Sequence, residues 1–143
     1  MKYLLCGLLW LALPFAARAA ELRIDLGHGM KVWSSAQLLA RGDATTVTIP
    51  ADVAFQRSMR YRAVPLRALL AGLHAGEHLQ FVATDGFTAE IPAGVILNTQ
   101  GAQAWLAVED PAQPWPKPTG NAKGAGPFYL VWTNKQDARI RSE

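Results

Sequence analysis

Chemistry in a short chain has to come from side chains that can converge, and few groupings here could do so. His74 and His78 stand four apart, the spacing that puts two metal ligands on one helix face. Gly72 and Gly76 interrupt any helix there, so "AGLHAGEHLQF" reads as a connection carrying solvated histidines. His28 and Met30 offer an imidazole and a thioether, donors suited to copper, but two ligands do not make a site. No serine lies in the glycine-flanked setting of a hydrolase nucleophile. Glu109 and Asp110 are adjacent carboxylates, which in a strand point to opposite faces and read as a charged strand end.

The stretch "WPKPTGNAKGAGPFYLVW", Trp115 to Trp132, has the ingredients of an anion cradle. Gly120, Gly124 and Gly126 leave backbone amides open, and Lys117 and Lys123 bring positive charge. It matches neither the GxxxxGK[ST] pattern of a P-loop nor the GxGxxG of a dinucleotide fold, and a strand follows it where those motifs need a helix. Glycine and proline also form turns, so a structural connection is the competing reading.

Sulfur chemistry is confined to the leader. Lys2, the apolar run Leu4 to Phe15 and the small-residue site Ala17-Arg18-Ala19 read as a secretory signal over residues 1–19. The run is shorter than the roughly 20 residues that span a bilayer. The single cysteine, Cys6, lies within it, so residues 20–143 contain no thiol for a disulfide, a metal or a nucleophile. Removing the leader lowers Lys+Arg from 14 to 12 against 11 Asp+Glu, too even a balance for a nucleic-acid binder. The expected location is the periplasm or the exterior, with no stable membrane anchor after cleavage.

At 143 residues and 50% hydrophobic, the chain suits one globular domain. "ELRIDL" alternates like a half-buried strand and "MKVW" makes a short one. Ser34 or Ser35 caps a brief helix carrying Leu38 and Leu39, closed by Gly42. "TTVTIP" and "RSMRYRAV" read as strands. "PLRALLAGL" reads as a helix opened by Pro65, with Leu66, Leu69, Leu70 and Leu73 on one face. "LQFVATD" and "FTAEIP" form a hairpin about Asp85-Gly86. "AGVILN" makes a helical turn, and "AWLAVED" and "PFYLVW" are the last strands. The class is α+β: a single compact mixed-sheet domain with short helices.

The order of these pieces resembles the oxidoreductase molybdopterin-binding domain of the sulfite-oxidase-like superfamily, and small secreted members look closest. The resemblance rests on Tyr61, Val64, Pro65, Leu66, Asp85, Gly86, Phe87, Gly126 and Pro127, in that order. It implies a sulfite-oxidase-like fold over residues 20–143. Catalytic members hold molybdenum through a cysteine sulfur, which this chain lacks beyond its leader, and they are much longer. The implied protein is therefore a periplasmic accessory module on a degenerate oxidoreductase scaffold, serving a c-type cytochrome or other redox protein in electron transfer. Its expected partner contacts are Arg60, Tyr61, Arg62, Trp115 and Lys117. The alternative is a molybdopterin-dependent oxidoreductase or pterin- and anion-binding protein that holds its ligand with Asn121, Lys123, Gly124 and Gly126. No catalytic or metal-ligating residue is assigned. The polar end "NKQDARIRSE" reads as a truncation or a frayed tail, since relatives continue into a strand there.

Overall fold

Alternation along the strands decides how this chain folds. The computed structural model describes residues 20–120 and 123–134. Its elements are β1 (Glu21–Asp25), β2 (Met30–Ser34), α1 (Ser35–Leu39), β3 (Thr45–Asp52), β4 (Arg57–Pro65), α2 (Leu66–Leu69), β5 (His78–Val82), β6 (Thr88–Pro92), α3 (Ala93–Leu97), β7 (Gln103–Val108) and β8 (Phe128–Thr133). Strands dominate over three short helices, an α+β arrangement. Every ladder between these strands is antiparallel.

A four-stranded sheet in the order β3-β4-β7-β8 forms the centre, and β1-β2 and β5-β6 are separate hairpins. The central sheet curls until its two edge strands, β3 and β8, come into contact. Successive side chains on a strand point to opposite faces, so the sheet serves two cores. Leu106 and Val108 of β7 join Val64, Trp132 and the helix residues Leu38, Leu66, Leu69 and Ile96 on one face. Met59, Tyr61 and Ala63 of β4 meet Val47, Ile49, Ala107, Tyr129 and Val131 on the other. The first core is roofed by helices and hairpins. The second is roofed by two loops, through Phe55 and Trp115.

Local chemistry accounts for the element ends. Ser34 accepts from the Gln37 amide at 3.1 Å and Gln37 Oε1 accepts from the Ser34 amide at 2.9 Å, a reciprocal capping box that starts α1. That helix ends at Leu39, before the expected Gly42. The helix expected after Pro65, to be stopped or frayed by Gly72, ends sooner, at Leu69: Leu70 leaves helical geometry, and Gly72 beyond it has φ +96°, a conformation that costs glycine nothing. Leu69 and Leu70 are nevertheless both buried, so core contacts rather than helical length position them. The Asp85-Gly86 hairpin forms as expected, with the Ala83 amide donating to the Phe87 carbonyl at 2.8 Å and Asp85 Oδ1 accepting from the Phe87 amide at 3.1 Å.

Candidate functional site

Strand β4 carries three of the expected contact residues in a row, and the pleat separates them. Arg60 and Arg62 are exposed, whereas Tyr61 between them is 1% exposed. Tyr61 is therefore not a surface anchor: it is a core residue whose hydroxyl donates to Asp52 Oδ2 at 2.8 Å. Asp52 is itself 1% exposed, and its Oδ1 accepts from the amides of Ala54 at 2.9 Å and Phe55 at 3.2 Å. The Tyr129 hydroxyl stands 3.5 Å from that same oxygen. A buried carboxyl group is tolerable only when its oxygens are satisfied, and these donors do that. They also fasten the loop after β3 to the middle of the sheet.

Burial pushes the Tyr61 and Tyr129 hydroxyls well above the usual tyrosine range, and the hydrogen bond and charge of Asp52 push the same way. Both remain neutral donors at any ordinary pH. Their rings build an aromatic stack with Trp115. The Trp115 ring meets Tyr61 edge-on at 5.1 Å and Tyr129 at 6.5 Å, while Tyr61 and Tyr129 lie 5.9 Å apart. Edge-to-face pairs of this kind add about 0.5–1.5 kcal/mol each beyond their buried area. Trp115, expected at the surface, is half-buried for this reason. Trp132 is fully in the core with the helices, at 3% exposure.

The loop from Asp110 to Pro127 is tied at both ends by Glu109. Its Oε1 accepts from the Trp115 amide at 2.7 Å, and its own amide donates to the Pro127 carbonyl at 2.9 Å. Its other carboxyl oxygen lies against Gly126, where any β-carbon would collide with it. An alanine there would require the Glu109 side chain to move. Asp110 adds a turn, its Oδ1 accepting from the Ala112 amide at 2.9 Å. Trp115 and Pro118 are covered, and Pro116 and Lys117 between them are exposed. Glu109, read from sequence as a strand end, is the residue that organises this loop.

Of the expected ligand contacts, Asn121 lies outside the described residues. Lys123 and Gly124 are exposed, and Gly126 is half-buried against Glu109. A carboxyl group thus occupies the space beside Gly126 into which an anion would have to come, and two like charges at that distance repel. Arg60 and Arg62 lie on the opposite face of the sheet from Tyr61, Tyr129 and Trp115. The five expected partner contacts are therefore not one patch: Trp115 and Lys117 belong to the loop, the arginines to the far face. His74 donates its amide to Glu77 Oε2 in a turn and His78 opens β5, so no helix pairs them. Among the described residues no group of three or more metal-binding side chains converges.

Sequence reading missed Asp52 and Glu109. A signal existed for the first: an aspartate leaving a strand, followed by unpaired amides two and three residues on, is a standard turn former. No local signal marks Glu109, because its partners lie six and more residues away across a loop. No family model, curated protein or solved structure significantly matches the chain.

Proposed function

We propose that the protein is a secreted periplasmic binding module, built on a molybdopterin-oxidoreductase-type scaffold, that docks a c-type cytochrome or similar redox partner through the β7–β8 loop. One observation carries the reading: the described part of the loop is fixed at two points by the protein itself. Glu109 fixes it at Trp115 and Pro127, the Tyr61–Tyr129 pair seats the Trp115 ring, and Lys117 is left outward. A preorganised loop avoids the ordering cost of roughly 0.5–1.5 kcal/mol per immobilised side chain that a flexible one incurs on binding. An exposed lysine beside a partly covered tryptophan suits the acidic and aromatic surface of a partner.

The test is binding of a purified c-type cytochrome to immobilised protein, repeated with Lys117→Glu. Lys117 is exposed, so that variant folds as before. Reversing one rim charge should weaken binding several-fold and reduce its salt dependence. Undiminished binding by Lys117→Glu would remove the loop from the interface. Metal content and pterin fluorescence of the purified protein check the alternative reading: stoichiometric molybdenum or pterin would replace the module with a cofactor protein.

A further inference from the structure

On the face of the sheet turned away from Trp115, strands β3 and β4 form a small array. Arg62 stands directly across from Thr46, and Arg60 from Thr48. All four side chains are exposed. They share their face with Val64, which the helical layer covers, but they extend past that cover. Two other arginines are engaged: Arg41 grips Asp43 through two bonds of 2.7 Å and lies 5.2 Å over the Trp33 ring, and Arg23 reaches Glu21 at 3.3 Å. Arg60 and Arg62 make no ion pair or side-chain hydrogen bond among the described residues. The one carboxyl group in β3 and β4 is that of Asp52, which is buried and turned to the opposite core.

We propose that this face is a docking surface for an extended acidic segment of a partner protein, with carboxylates at alternate residues. Charge complementarity identifies the occupant. Two arginines two residues apart on a strand leave the backbone about 6.6 Å from each other, the spacing of alternate side chains on a second extended chain. Each guanidinium presents a planar fork that takes a carboxylate with two parallel hydrogen bonds. The threonine hydroxyls beside them supply neutral donors to the same oxygens. Thr46, Thr48, Arg60 and Arg62 are all exposed on this face, so an extended segment can lie across the β3–β4 pair. This surface is separate from the loop of the proposed function and stands or falls without it.

The experiment titrates the isotopically labelled protein with a heptapeptide alternating serine and glutamate, and with an isomer in which the glutamates are adjacent, following backbone amide shifts at low salt. The alternating peptide should move the amides of Thr46, Thr48, Arg60 and Arg62. It should bind several-fold more tightly than its isomer. Arg60→Gln with Arg62→Gln should weaken it about tenfold, whereas Lys117→Glu should leave it unchanged. Equal binding of the isomer, shifts centred on the Trp115 loop, or undiminished binding by the arginine double variant would each overturn the proposal. Tighter binding of a short single-stranded oligonucleotide at the same residues would overturn the peptide assignment.

Discussion

The two faces of β4 show opposite uses of polar side chains. Inward, Tyr61 and its neighbour Tyr129 bring hydroxyls to the buried Asp52, and the polar atoms satisfy one another out of reach of water. Outward, Arg60 and Arg62 stand exposed with no partner among the described residues. A single residue step along the strand separates the two roles. Satisfied buried groups contribute to stability and reveal little about function; exposed cations held on a rigid strand contribute almost nothing to stability and are available for recognition.

The sharpest way to break this contrast is at its buried end. Asp52→Ala leaves the Tyr61 hydroxyl and the amides of Ala54 and Phe55 without their acceptor. At roughly 1–3 kcal/mol for each buried group left unsatisfied, a loss of about 3 kcal/mol or more is expected in denaturant unfolding. If Asp52→Ala unfolds like the parent, the buried cluster is not what holds the loop.

Alkali probes the same cluster without mutation. Both tyrosines titrate higher when folded than when unfolded, because burial beside Asp52 disfavours the phenolate. The folded state therefore binds more protons above pH 10. Their contribution is fully present below about pH 10, the unfolded value, and falls as pH rises past it, by about 1.4 kcal/mol per pH unit for each tyrosine. Stability measured between pH 9 and 11 should drop accordingly, and Tyr61→Phe should lessen the slope by about half.

Next in size is the loop clamp. Gly126→Ala forces the Glu109 side chain to move and breaks its bond to the Trp115 amide. A cost of about 1–2 kcal/mol is expected, the value of a charge-assisted hydrogen bond with some strain, together with a change in Trp115 fluorescence. The smallest effect belongs to the outward face: Arg60→Gln with Arg62→Gln should leave the thermal midpoint within the change expected of about 0.5 kcal/mol. A larger loss would mean that these arginines hold the fold.

Much of the fold was legible. β-branched runs, the Asp85-Gly86 turn and the Ser34 cap each encode their element within a few residues, and those elements formed. The helix after Pro65 ends short of Gly72 because leucines at helical spacing also suit an irregular segment packed on a core, and Leu70 leaves helical geometry first. The site was less legible. Arg60, Tyr61 and Arg62 form one string in sequence, and the pleat sends them to two faces. Trp115 reads as exposed between two prolines, yet its ring finds Tyr61 and Tyr129, 54 and 14 residues away.

By itself the sequence determined the strand-rich class, the absence of a cysteine after Cys6, the position of the long turn-rich connection and the alternation that makes β4 two-faced. Those are properties of composition and of short-range backbone preference. Only the tertiary structure decided that Asp52, Tyr61 and Tyr129 share one buried network, that Glu109 fills the space beside Gly126, and that the loop's tryptophan and the strand's arginines belong to different surfaces. These depend on which distant residues the curl of the sheet brings within hydrogen-bonding or ring-contact distance, and the curl acts on pairs too far apart in the chain for local spacing to reveal.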